Sequence, residues 1–142
     1  MNVEPVNILL VEDNPDHVLL TKEALEGSGM LNDIVVVKDG QEALDFMYHH
    51  GKYNAAPRPG LILLDINLPK VDGFEVLRQL KHDTQFKSIP VIMLTTSARE
   101  DEIAKGYVEG ANSYVIKPVK FNEFAQKIKN IQLYWVLTNS LP

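Results

Sequence analysis

Acidic and basic side chains stand directly after short apolar runs at several points of the chain. Glu12 and Asp13 follow the run NILLV, Asp65 follows LILL, and Lys117 follows YVI. Apolar runs of this length are typical of buried strands, so strand ends rather than loose turns place these side chains. If the strands that carry Glu12 and Asp65 are neighbours, three carboxylates meet one lysine. That much negative charge requires a cation to offset it.

The ligand atoms expected at this edge favour magnesium. Carboxylates, a backbone carbonyl and water form the partly hydrated oxygen shell that Mg²⁺ prefers, and the chain has no cysteine for a zinc site. Taken singly, each acid is more typical of a helix cap at a strand-to-helix turn, but together they indicate a site. The histidines fall on predicted helices or loops away from this edge, so we expect none of them in the site; they are His17, His49, His50 and His82.

Five short apolar runs, and the amphipathic stretches between them, must position these side chains. The runs lack polar alternation and are rich in Val, Ile and Leu, which is typical of strands covered on both faces of a parallel sheet. They comprise residues 7–11, 34–37, 61–64, 91–94 and 114–116. Strict alternation with five helices predicts an α/β fold with right-handed crossovers and helices on both faces. In such a doubly wound sheet, ligands bind beyond the carboxyl ends of the strands.

Length, charge and hydropathy exclude several classes of protein. The 142 residues fit one domain. The net charge of −5 argues against a nucleic-acid partner. The apolar runs are far shorter than the roughly 18–20 residues of a membrane span, and the N-terminal residues lack a basic region. We therefore expect a cytoplasmic protein with no membrane partner.

Four motifs, in order, resemble those of the receiver domains of two-component response regulators. They are LLVEDNP with Glu12 and Asp13, LILLDINLPKVDG with Asp65, PVIMLTTS with Thr95, and SYVIKP with Lys117. Thr95 lies 30 residues after Asp65 and Lys117 another 22 beyond, spacings similar to those of the family. The resemblance implies a flavodoxin-like receiver fold, a doubly wound (βα)5 parallel sheet with strand order 2-1-3-4-5.

The resemblance also implies the chemistry. Asp65 would accept a phosphoryl group from a phosphohistidine of a sensor histidine kinase and form an acyl phosphate. Mg²⁺, which Mn²⁺ can replace, would bind Glu12, Asp13, Asp65 and the backbone carbonyl of Asn67, and would neutralise much of the phosphoryl charge. The protein would therefore be a phosphoacceptor in signalling rather than an enzyme.

A switch would follow from phosphorylation in a protein of this family. Lys117 would pair with a phosphoryl oxygen, and Thr95, with Thr96 beside it, would offer a hydroxyl donor. As the Thr95 hydroxyl moves toward the phosphoryl group, the ring of Tyr114 would rotate inward and alter the surface around the fourth helix. The peptide bond between Lys117 and Pro118 would be cis.

Two other functions remain as alternatives. A hydrolase of the haloacid dehalogenase type also forms an aspartyl phosphate, but it uses a second aspartate two residues later as its acid–base catalyst. Asn67 stands at that position here and cannot transfer a proton at neutral pH, so we expect slow autodephosphorylation. The other alternative is a receiver that binds a partner without ever being phosphorylated.

Two segments are longer than a minimal receiver domain requires, and both are candidates for contacts with partner proteins. The polar loop 49–60 is longer than a usual connection and is either an interaction surface or a tolerated insertion. This loop, the LLDINLP motif and an aromatic C-terminal helix end together resemble features of single-domain regulators of bacterial phytochrome-type sensor kinases. We expect a receiver domain over 5–131, a helical tail over 132–142 and no effector domain. The output would be a protein contact or a homodimer through helix 4, strand 5 and helix 5, with Phe121, Tyr134 and Trp135 on its surface.

Overall fold

A five-stranded parallel sheet organises the chain in the computed structural model, which describes residues 6–27, 32–96, 99–117, 122–123 and 126. The strands are β1 (Val6–Val11), β2 (Asn32–Val37), β3 (Leu61–Asp65), β4 (Val91–Thr95) and β5 (Ser113–Ile116). Their order, β2-β1-β3-β4-β5, confirms the predicted topology. Because β1 and β3 are neighbours, Glu12 and Asp65 leave the sheet side by side.

Helices alternate with the strands, as the amphipathic stretches predict. They are α1 (Pro15–Gly27), α2 (Gly40–Met47), a short 3₁₀ helix (Gly51–Tyr53), α3 (Gly73–Lys81) and α4 (Glu100–Val108). Most of the predicted fifth helix lies outside the described residues. In the described ranges, no helix is both long enough and apolar enough to cross a bilayer.

Two apolar cores cover the two faces of the sheet. Alternate residues of β1 point to opposite sides, so Leu9 belongs to the core with α2 and α3, while Leu10 belongs to the core with α1. All residues of β3 and β4 are buried, because both of these strands lie inside the sheet and are covered on each face. The unalternated apolar runs reflect this double burial.

The long loop between α2 and β3 packs on the body of the domain. The hydroxyl of Tyr53 donates to the Glu42 carboxylate of α2. Arg58 donates to the backbone oxygen of Gln85 at 2.7 Å, and its guanidinium lies over the ring of Phe86. These contacts tie the loop to α2 and to the connection between α3 and β4.

Candidate functional site at the carboxyl edge of the sheet

Three carboxyl groups meet at the carboxyl edge of the sheet, as the sequence predicts. Glu12, Asp13 and Asp65 each offer an oxygen within 4.8 Å of the others. Glu12 and Asp65 are buried, whereas Asp13 is exposed. The group is therefore open to solvent on the side of Asp13 and closed on the side of the sheet.

Lys117 completes this edge from β5. Its Nζ donates to Asp65 Oδ2 at 2.9 Å and to the Glu12 carboxylate. The backbone places it there, since the Lys117 N–H donates to the Thr95 oxygen at 2.6 Å and so continues the pairing of β5 with β4. Three carboxyl groups cluster around this one ammonium group, which contacts two of them, so the cluster keeps an excess of acidic groups.

His17 also lies in the site, so the prediction that no histidine does is wrong. Its Nδ1 is 3.0 Å from Lys117 Nζ and 3.6 Å from Glu12 Oε1. The placement of His17 on a helix was correct, but the first turn of α1 begins next to the carboxyl end of β1. Asn14 Oδ1 caps this helix and accepts from the N–H of Asp16 at 2.9 Å, so the first turn starts directly at the strand end and His17 lies in that turn.

Burial changes the acidity of Glu12. Removal from water, followed by the neighbouring Asp65 carboxyl group, raises the pKa of Glu12 to about 7, even though Lys117 acts in the opposite direction. A proton is thus bound more tightly by the folded protein than by the unfolded chain, whose ordinary glutamate pKa is 4.5.

The stability of the metal-free protein should therefore fall as pH rises through about 7. The contribution of Glu12 is fully present below pH 4.5 and is lost above its folded pKa. Between about pH 5 and about pH 8, we expect a loss of about 2 kcal/mol in unfolding free energy, measured by urea denaturation with a chelator present. Glu12→Gln should flatten this part of the profile, and parallel profiles for the two proteins would contradict the assignment.

The backbone around Asp65 is held on both sides. Its Oδ1 accepts the Asn67 N–H at 3.1 Å, and the Ile66 N–H donates to the Leu94 oxygen at 3.1 Å. A Cβ on Gly73, the first residue of α3, would lie 2.2 Å from the Asp65 backbone oxygen. Only glycine allows this approach, so Gly73 lets the start of α3 pack against the backbone of Asp65, a role that no motif in the sequence indicates.

The predicted switch residues occupy two different places. Thr95 is buried at the end of β4, near the acidic edge, and Thr96 is exposed beside it. Tyr114 is already buried, and its hydroxyl donates to the Glu102 backbone oxygen at 2.8 Å. The ring packs closely on Gly106 of α4, where a Cβ would lie 2.7 Å from a ring carbon. In this structure, therefore, Tyr114 contacts α4.

Four further predicted residues lie outside the described part of the chain. They are Pro118, with the peptide bond that precedes it, and the surface residues Phe121, Tyr134 and Trp135. The tail over 132–142 lies outside it as well.

The donor set of the edge fits a hard divalent cation. All of the clustered acidic ligands are carboxylate oxygens, and the open side at Asp13 leaves room for water in the coordination shell. The excess negative charge is what a divalent ion would offset. The residues that could hold such an ion are Glu12, Asp13 and Asp65.

Comparison with known proteins agrees with this architecture. The family model described as response regulator receiver domain matches residues 8–129. Among curated relatives, "Probable methanogenesis regulatory protein FilR2" of Methanothrix harundinacea is 41% identical and covers 98% of this chain and 89% of its own length. The response regulator Rcp1 of Synechocystis sp. is 39% identical, and the match covers 97% of this chain and 94% of the length of Rcp1.

Solved structures show the same likeness in three dimensions. The bacteriophytochrome response regulator RtBRR has a TM-score of 0.82 at 45% identity, covering 90% of this chain and 78% of its own. The phosphorylated cyanobacterial phytochrome response regulator RcpA has a TM-score of 0.80 at 42% identity, covering 98% and 99%. The Mn²⁺-bound form of Rcp1 has a TM-score of 0.78 at 39% identity, covering 97% and 99%. This chain therefore belongs to the response regulator receiver domain family, and it is a signalling protein that acts with a histidine kinase.

Proposed function

We propose that Asp65 is the phosphoacceptor of this response regulator and that a divalent ion at the acidic edge makes the transfer possible. The observation that carries the proposal is the position of the Asp65 carboxylate. It lies within the acidic cluster and, at 2.9 Å, accepts from the ammonium group of Lys117. One carboxylate can thereby reach both a metal ion and a fixed ammonium group.

The transfer itself needs little acid–base chemistry. A carboxylate oxygen of Asp65 attacks the phosphorus of a phosphohistidine, an O–P bond forms, and the P–N bond breaks with its electron pair returning to the imidazole. Lys117 pairs with a phosphoryl oxygen, and the Asn67 N–H holds the second oxygen of the Asp65 carboxyl group. When bound, Mg²⁺ supplies charge neutralisation at the phosphoryl oxygens, and Mn²⁺ can take its place. Asp13, Asp65, Glu12 and the Asn67 carbonyl would hold it.

The proposed phosphodonor is a sensor histidine kinase of the phytochrome class. This step is supported by RcpA and RtBRR, which are described as phytochrome and bacteriophytochrome response regulators and are 42% and 45% identical to this chain. RcpA was solved in a phosphorylated form, and Rcp1 with Mn²⁺, which are the two states that this proposal requires.

The acyl phosphate should persist once it has formed. Asn67 follows the acceptor by two residues, and its amide cannot transfer a proton to or from water at neutral pH. A hydrolase of the haloacid dehalogenase type is therefore not favoured.

The proposed output surface is the face of α4 and β5, used by a second copy of the chain or by the kinase. Tyr107 and Val108 of α4 and Ile116 of β5 are exposed apolar side chains, and Tyr114 lies beneath α4. When the phosphoryl group draws the Thr95 hydroxyl toward it, the space vacated near β5 gives the Tyr114 ring a second position. Val108 and its neighbours would then report the state of Asp65 to the partner.

One labelling experiment tests the proposed function. Wild-type protein incubated with acetyl phosphate and Mg²⁺ should gain one base-labile phosphoryl group on the peptide that carries Asp65, as measured by mass spectrometry. A chelator should prevent the gain, and Mn²⁺ should restore it, because the phosphoryl charge needs a divalent ion. Labelling without a metal ion, or on another peptide, contradicts the proposal. Sedimentation of the same samples tests the homodimer.

A further inference from the structure

Lys117 has three acceptors for its three N–H groups, and one of them comes from a histidine. An ammonium group is a donor with no acceptor capacity. Two of the acceptors are carboxylates, those of Glu12 and, at 2.9 Å, Asp65. The third is Nδ1 of His17, at 3.0 Å. The acceptors stand at the ends of β1 and β3 and in the first turn of α1, so three elements together hold the ammonium group.

We propose that His17 is a positioning residue for phosphoryl transfer, because its Nδ1 holds the ammonium group of Lys117 beside Asp65. This inference rests on the proposed function, in which Lys117 pairs with the incoming phosphoryl group. His17 itself does not touch the reacting atoms in this role.

The hydrogen bond requires one tautomer of the ring. Since Lys117 can only donate, Nδ1 must be the unprotonated nitrogen, and the proton lies on Nε2. The ring is about one-third exposed, so it forms the outer wall of an otherwise buried ammonium group. A neutral acceptor suits this place, because another carboxylate would add to the repulsion between Glu12 and Asp65 and would compete for the ammonium group.

A hydrogen bond at the start of α1 fixes the backbone of His17. Its own N–H donates to Asn14 Oδ1 at 3.3 Å, within the same cap that begins the helix. His17 therefore starts from a fixed backbone, so only its side-chain torsions lose freedom when the ring accepts the hydrogen bond.

Two substitutions separate the acceptor from the bulk of the ring. His17→Leu keeps a side chain of similar size but removes the acceptor, so labelling by acetyl phosphate should become about tenfold slower, the effect of losing one hydrogen bond from a charged donor. His17→Asn offers Oδ1 near the place of Nδ1 and should restore the rate to within about twofold. His50→Leu, at a largely exposed histidine near Asp45, should leave the rate unchanged.

A second measurement does not depend on labelling. Long-range proton–nitrogen NMR of wild-type His17 should show an unprotonated Nδ1 and a protonated Nε2, and Lys117→Met should shift the Nδ1 signal. A protonated Nδ1 in the wild type overturns the inference. So does a His17→Leu protein that labels as fast as the wild type, or a His17→Asn protein as slow as His17→Leu. A wild-type protein that gains no phosphoryl group overturns the proposed function instead, and the NMR signal still tests the contact.

Discussion

Asp65→Asn should abolish phosphoryl uptake from acetyl phosphate, with a loss of at least about a hundredfold relative to wild type. An amide is not a nucleophile toward phosphorus, yet it has nearly the shape of the carboxylate. The variant keeps an oxygen for the Asn67 N–H, which donates to Asp65 Oδ1 at 3.1 Å in the wild type. The fold should therefore be retained, and circular dichroism should show wild-type secondary structure.

Asp16→Asn is the matched control for this prediction. Asp16 is an exposed aspartate in the first turn of α1, near the site but outside the acidic cluster. Its replacement should leave both the amount and the rate of labelling within about twofold of wild type. Equal labelling of Asp65→Asn and wild type would place the acceptor elsewhere, with the exposed carboxylate of Asp13 the next group to examine.

Lys117→Met should give the second large effect, on stability. The side chain is nearly inaccessible, and its removal leaves the buried carboxyl groups of Glu12 and Asp65 without their cation. Breaking a buried ion pair in this way typically costs about 3–5 kcal/mol. We expect a loss of this size in unfolding free energy near neutral pH, measured by urea denaturation in the presence of a chelator.

Added Mg²⁺ should recover part of that loss, since a divalent ion at the acidic edge replaces the missing positive charge. Lys52→Met provides the control, because Lys52 is largely exposed and lies 3.7 Å from Glu42. An exposed pair contributes little, so this control should change stability by less than about 1 kcal/mol. Equal losses for the two lysine variants would show that the Lys117 pairs do not stabilise the folded state.

Much of the fold could be predicted because its signals are local. Five apolar runs without polar alternation indicate a parallel sheet covered on both faces, and β3 and β4 are buried along their whole length. Glu12, Asp65 and Lys117 follow three of these runs, and the parallel arrangement then brings them to one edge. The order of the strands came from the resemblance of four motifs to a family, since periodicity alone does not specify which strands are neighbours.

Other features of the site depend on contacts between distant parts of the chain. His17 and Lys117 lie 100 residues apart, and no pattern in the sequence indicates that the first turn of α1 tilts one ring toward β5. The close approach of Gly73 to the Asp65 backbone cannot be predicted from the sequence either, because the residue type does not indicate what lies next to its Cα.

By itself, the sequence determined the strands, the family and the acidic edge, since each depends on residue types at short spacing or directly after a buried run. Only the tertiary structure decided how that edge is completed. It placed His17 on Lys117, buried Glu12 deeply enough to raise its pKa to about 7, and set Tyr114 beneath α4. The physical reason is that burial and hydrogen bonding between side chains depend on the distances between elements, and those distances are fixed only when the helices pack on the sheet.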